Sequence, residues 1–325
     1  MRVGEIYFAP VHSSAGPRGF FGEGYWYHWL WMLRGLTFKR AGFVSKTTTL
    51  LPRLNPAKKE GNMPMTKDGL RPKEWKPECI VINFKTGNAL NAVGLSGPGA
   101  AALLKTNRWQ RFNEGPWWLS FMSVEVSPAD QLEETRQFVE LILKSGYKKW
   151  KRPFGIEYNV SCPNVGDDVS HLGEHSIQAV DILARLGVPI QVKSSADAST
   201  ESIIKVVAHP ACTSLNLGNT IKFGKLPHLI DWSQFSQDGK SPLEKFGGGG
   251  ASGPIIRPVN CQKISELRDS HCPKPIVGCG GIDSANAVKE YVDAGTDGGI
   301  QFGSVVFNKP GKTPSIIDSA YYHFE

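Results

Sequence analysis

Residues 157 to 164 read Glu-Tyr-Asn-Val-Ser-Cys-Pro-Asn, and they concentrate reactive and hydrogen-bonding side chains in one short segment. An apolar run from Phe154 to Val160 feeds into it, so Asn159 stands near a strand end. Cys162 then falls on the following turn, with Pro163 fixing the exit. A cysteine flanked by two asparagines can abstract a proton while the amides hold a planar polar substrate. The same residues also suit a loop cysteine between turn-forming asparagines, and spacing alone does not separate the two. Lys46 in FVSKTTT and Lys193 in PIQVKSS each end an apolar strand. An ammonium there offers charge to an anion or an electron-rich ring, or else snorkels at a rim. A third constellation is Gly278-Cys279-Gly280-Gly281 ahead of a helix starting near Ser284, with Gly303-Ser304 after the last strand. Lacking a Cβ, such glycines let a phosphate approach backbone amides closely. The G-x-G-x-x-G fingerprint of a dinucleotide fold is absent.

The elements that must position these residues are short apolar runs alternating with amphipathic stretches. Trp118–Val124, Phe154–Val160, Pro189–Lys193, Thr213–Leu217, Pro275–Gly278 and Gly299–Phe302 read as strands. A helix is announced by Ser127 as N-cap, Pro128 at its first position and Asp130 three residues on, and Gly146 closes it. A second helical pattern ends at Gly187, and a third runs from about Ser284 to Ala294 with Gly295 after it. This βαβ alternation predicts an α/β TIM (β/α)8 barrel with loop insertions. Leu51–Glu78 and Lys222–Gly250 have no periodicity and read as long surface loops.

The chain has 325 residues, of which 40% are hydrophobic and 21% charged, which excludes intrinsic disorder and suits one large barrel. Six scattered cysteines without C-x-x-C spacing argue against a disulfide framework or structural zinc, and point to a reducing cytoplasm. His171 and His175 flank Glu174 without a third ligand, so no metal is expected. The net charge of +7 admits nucleic acid, membrane or small anions as partners. The basic stretch Lys144–Arg152 (KSGYKKWKR) reads as a solvated loop, so no nucleic acid is expected. Tyr25–Leu33 (YWYHWLWML) is about half the ~20 residues of a spanning helix. It can dock on a membrane face, but the favoured expectation is a helix packed on the core, with no membrane partner.

With these residues in hand, the chain resembles the dihydroorotate dehydrogenase family of FMN-dependent TIM-barrel flavoproteins. The resemblance runs from about residue 6 to 308 and rests on motifs in the family's order. These are SSAGPRG (Ser13–Gly19), SKTTT (Ser45–Thr49), NAVGL (Asn91–Leu95), NVSCPN (Asn159–Asn164) and VKSS (Val192–Ser195). GNTI (Gly218–Ile221), GGASGPIIRP (Gly249–Pro258), GCGGI (Gly278–Ile282) and QFGS (Gln301–Ser304) complete the set. The loop VGDDVSHLGE (Val165–Glu174) departs from the family pattern where a substrate lid is expected, and the first insertion is atypical.

The resemblance implies that residues 1–325 form a single FMN-binding domain. The FMN phosphate would rest on Gly253, Gly280, Gly281, Gly303 and Ser304. Ala15, Gly16, Lys46, Thr47, Asn159, Lys193 and Gly218 would line the rest of the cofactor. Dihydroorotate would place its carboxylate near Lys46, Asn91, Gly94 and Leu95, and its ring amides near Asn159, Asn164, Asn219 and Thr220. Cys162 and Lys46 are the implied catalytic residues, Cys162 as the base. A cysteine at this position, and a barrel that begins almost at Met1, both imply the class 1 type. The family further implies a soluble electron acceptor and a homodimer. Two other readings are a flavin enzyme for another dihydropyrimidine-like cyclic amide and a non-catalytic flavin-binding barrel.

Overall fold

The computed structural model describes residues 2–3, 5–55, 61–160 and 174–325. A small hairpin, β1 (Arg2–Val3) and β2 (Ile6–Tyr7), leads into β3 (Val11–Ser13), α1 (His28–Met32) and β4 (Gly42–Phe43). After β5 (Ile80–Asn83), β6 (Asn88–Asn91) and α2 (Ala100–Lys105), strands and helices alternate: β7 (Trp117–Phe121), α3 (Pro128–Lys144), β8 (Phe154–Asn159), α4 (Glu174–Ala184), β9 (Ile190–Ser194), α5 (Thr200–Val207) and β10 (Cys212–Leu217). The chain ends with β11 (Ile221–Lys222), β12 (Gly250–Ser252), α6 (Arg257–Asp269), β13 (Ile276–Cys279), α7 (Ala285–Asp293), β14 (Ile300–Phe302), α8 (Val305–Asn308) and α9 (Thr313–Phe324). Eight strands pair in parallel in the order β4-β3-β14-β13-β10-β9-β8-β7. Parallel bridges Val44↔Trp118 and Thr48↔Phe121 join the two edges, so the ring closes as the expected (β/α)8 barrel.

Local chemistry starts and stops the helices where expected. Ser127 Oγ accepts from the Asp130 amide at 3.1 Å, and Gly146 takes the left-handed φ of +66° after α3. Ser284 caps α7 through the Ala287 amide at 3.2 Å, and Gly295 follows at φ +105°.

Inside the barrel the side chains form layers of different polarity. The floor is apolar: Phe8, just after the hairpin, stacks on Trp118 at 4.2 Å, and both pack with Val44. Gly155 is required beside them, because a Cβ there would lie 2.3 Å from the Trp118 ring. The middle is polar, with His12, Glu157, Gln191, Ser214, Asn216 and Gln301 all buried.

The two insertions depart from the expectation of plain surface loops. Met63 and Met65 of the first and Ile230 and Leu243 of the second are buried. The segments flanking them build a four-stranded antiparallel sheet, β11-β12-β6-β5, pairing Ala251 with Leu90 and Gly250 with Asn91. Their apolar residues are spaced irregularly among polar ones and show no period along the sequence. The aromatic stretch meets expectation only in part: His28 is buried and Trp31 packs against the core, while Trp29 and Met32 are exposed. In Lys144–Arg152 the rings of Tyr147 and Trp150 are buried, which leaves them unable to stack on bases. No helix among the described residues is long and apolar enough to cross a membrane.

The buried histidines make stability depend on pH. Burial pushes His12 down to about 3 and His28 to about 4. Both are neutral in the folded protein, whereas in the unfolded chain they take up protons near pH 6.5. The unfolded state therefore binds more protons below that pH, and stability falls as the pH drops from about 6.5 towards 4. Urea unfolding should show a decline of up to about 1.4 kcal/mol per pH unit for each histidine, shallower in His12→Gln. A midpoint level across that range would refute this.

Candidate active site

Residues that alternate inward along the strands converge at the barrel's C-terminal mouth. Lys193 on β9 is in register with Asn159 on β8 and with Asn216 on β10, so an ammonium stands between two amide-bearing strands. Beneath it lies Glu157, fully buried, with Oε1 3.7 Å from Lys193 Nζ. Glu157 Oε2 accepts three amide hydrogen bonds, from Gln191 at 3.1 Å and from Asn216 and Gln301 at 2.8 Å. A buried charge is tolerable only when so paired and bonded.

Two further groups stand with them. Asn219 Nδ2 donates to Asn159 Oδ1 at 2.8 Å, and the Thr220 amide donates to Asn219 Oδ1 at 3.1 Å. Lys46 is buried and donates to the Ser96 carbonyl, which ties it to the turn that follows Gly94 and Leu95. That turn is tight: both residues have left-handed φ, +65° and +58°, and for Leu95 this conformation is unfavourable. Thr47 Oγ1 lies 3.0 Å from Ser120 Oγ. Ala15 packs over the apolar floor, and next to it Gly16 takes φ +119° with open space where a Cβ would be. Asn91 closes β6 on the small sheet, its Nδ2 3.4 Å from the Gly250 carbonyl.

The glycine turns meet one another. A Cβ on Gly281 would lie 2.6 Å from the Gly253 carbonyl, and one on Gly303 would lie 2.6 Å from Ser14 Oγ. Gly218, at φ +147°, presses on the Cys279 carbonyl so closely that a Cβ would overlap it at 1.9 Å. The β13 turn is pinned from behind: Tyr291 Oη donates to the Gly280 carbonyl at 2.6 Å and Arg257 to that of Gly281 at 2.8 Å. Ser304 continues the β14 turn into the short α8. Gly253, Gly280, Gly281, Gly303 and Ser304 thus come from turns that flank one mouth.

Burial pushes the thiols of Cys79, Cys212, Cys261 and Cys279 up to about 11 and raises Cys272 too. They remain protonated at neutral pH and are poor bases or nucleophiles. Cys162 and Asn164 lie outside the described residues.

Three features of the mouth escape sequence reading. Glu157 reads as one more strand residue, because its partners come from three other strands. Ser96 acts through its carbonyl, which carries no sequence signal. Ser195, inward by alternation from Gln191 and Lys193, has a buried Oγ without a partner among the described residues, as has Gln301 Oε1. Orphaned polar atoms at the mouth, as at Ser195, and just below it, as at Gln301, fit a polar ligand seated there.

Comparisons with known proteins point the same way. The family model described as "Dihydroorotate dehydrogenase" matches residues 32–320. The chain is similar to the catalytic subunit of dihydroorotate dehydrogenase B (NAD(+)) of Archaeoglobus fulgidus, 29% identical over 78% of this chain and 79% of that protein. It is 30% identical to the Listeria welshimeri protein of the same description, over 76% of this chain and 75% of the relative. The crystal structure of ligand-free DHODH from Eimeria tenella shares the fold, with TM-score 0.66 and 15% identity over 95% of this chain and 82% of that one.

The Glu157 network predicts a large stability effect. Glu157→Ala leaves three amide donors and the Lys193 ammonium facing a cavity, and should cost about 3–5 kcal/mol in urea unfolding. A loss below about 1 kcal/mol would show that the network contributes little.

Proposed function

The chain belongs to the dihydroorotate dehydrogenase family, and from that premise we propose that it oxidises dihydroorotate to orotate in pyrimidine biosynthesis, with FMN as resident cofactor and class 1 chemistry. The observation that carries the reading is Lys193, held between Asn159 and Asn216 at the mouth flanked by the glycine turns.

The residues fit FMN. Gly253, Gly280, Gly281, Gly303 and Ser304 would hold its phosphate, and a Cβ at Gly281 or Gly303 would push against the neighbouring turn and spoil the cradle. Ala15, Gly16, Lys46, Thr47, Asn159, Lys193 and Gly218 would hold the ring. When bound, the flavin supplies a hydride acceptor for C6 of the substrate. Lys193 would place its ammonium where negative charge accumulates, and Glu157 fixes that ammonium from below. Lys46 would neutralise the substrate carboxylate, with Asn91, Gly94 and Leu95 shaping the space around it. Asn159, Asn164, Asn219 and Thr220 would orient the ring amides, and Cys162 Sγ would take the proton from C5. We assign the reaction to the cytoplasm, a soluble acceptor and a homodimer. The named relatives are catalytic subunits, which supports a partner subunit as one route for the electrons.

Purified protein should be yellow and should bleach anaerobically with dihydroorotate. A colourless protein that FMN does not reconstitute, or bleaching only by another dihydropyrimidine, would overturn the assignment. Cys162→Ala should keep FMN and slow flavin reduction by about 10²-fold or more in stopped flow, and an unchanged rate would remove Cys162 from the role. Gly281→Ala meets a backbone carbonyl at 2.6 Å, and should weaken FMN binding by at least about tenfold in equilibrium dialysis.

A further inference from the structure

The aromatic stretch around α1 has two sides: Tyr25 Oη donates to the Gly16 carbonyl at 3.0 Å and Trp31 packs against the core, while other rings point away from it. Beside it is a cavity of about 720 Å³, lined by His28, Met32, Leu36, Phe38, Phe43 and the Arg18–Glu114 ion pair. The outer side of the stretch leaves Trp26 62%, Trp29 57%, Met32 57% and Leu33 79% exposed. A second segment joins the patch: Trp75, 56% exposed, lies 5.6 Å from the Trp26 ring and 5.1 Å from the Tyr27 ring. Exposed large apolar side chains clustered from two segments mark an interaction surface.

Charge identifies the occupant. Residues 26–40 and 67–76 hold seven Lys and Arg against two Asp and Glu, so five of the chain's seven net positive charges fall on the segments that carry the rings. Lys73 and Lys76 flank Trp75, and Arg34 lies over the Trp31 ring at 5.3 Å. A second copy docking here would bring like charges together. Lysine is depleted at protein interfaces, whereas Trp and Tyr rings beside Lys and Arg suit the headgroup region of an anionic bilayer. We propose that the face formed by Trp26, Trp29, Met32, Leu33 and Trp75 is a peripheral docking surface for an anionic lipid membrane. The exposure of these side chains shows that the stretch packs on the core only in part.

The test is sedimentation of the full chain with vesicles of phosphatidylglycerol and phosphatidylcholine, against phosphatidylcholine alone. Binding is expected to the anionic vesicles and should weaken with salt. Lys73→Gln with Lys76→Gln should reduce it about 30-fold, the worth of two lysines at such a surface. Trp29→Ser with Leu33→Ser should abolish it and leave the thermal midpoint unchanged. Absence of binding, equal binding to both vesicle types, or full binding by both double variants would overturn the proposal. So would a concentration-dependent dimer that Trp29→Ser with Leu33→Ser dissociates, which would assign the face to a second copy.

Discussion

Glu157 and Lys193 bring an ion pair into the barrel, and much of the interior follows from making that burial tolerable. A carboxylate taken out of water costs several kcal/mol unless its lone pairs are met. Here three amides meet one oxygen, and they come from β9, β10 and β14, three strands besides the one that carries the acid. The pair therefore reports on register: a one-residue slip in any of those strands would turn its amide outward and leave the carboxylate short of a donor. The apolar floor completes the arrangement. Phe8 and Trp118 close the end below the polar layer, which lowers the local dielectric and strengthens each interaction above them.

The same constraint organises the mouth. With Lys193 anchored from below, its ammonium has a fixed place relative to Asn159 and Asn216. The glycine turns are fixed by a steric rule instead. Gly218 against the Cys279 carbonyl and Gly281 against that of Gly253 leave no volume for a side chain, so the turns can meet only as glycine. One half of the site is thus held by charge and the other by close backbone approach.

What is legible in the sequence is what is local. The caps at Ser127 and Ser284 act on amides three residues away, and the strand-ending lysines declare themselves by the apolar run before them. The small antiparallel sheet is not legible, because β11 and β12 are two and three residues long and β12 pairs with a strand about 160 residues earlier. Glu157 hides for the same reason: its partners are distant in sequence and near only once the barrel closes. Helix α6 lacks a clear apolar face, being rich in charged and amide side chains. For the aromatic stretch the composition is plain, but which rings turn inward is set by distant partners such as Phe307, which no local pattern announces.

The distribution of charge separates two demands that the net value merges. Within the barrel Lys193 is balanced by Glu157, so that lysine adds nothing to the net charge seen from outside. Lys46 is buried against a carbonyl rather than displayed. Most of the net +7 lies instead on the two segments beside the exposed rings. A basic surface around the mouth would steer small anions inwards; a basic surface around tryptophans favours contact with an extended anionic one. The overall charge is thus better explained by the α1 face than by the site, since Lys193 is compensated where it stands, whereas on the segments beside the rings Lys and Arg outnumber Asp and Glu even with Arg40 paired to Asp318.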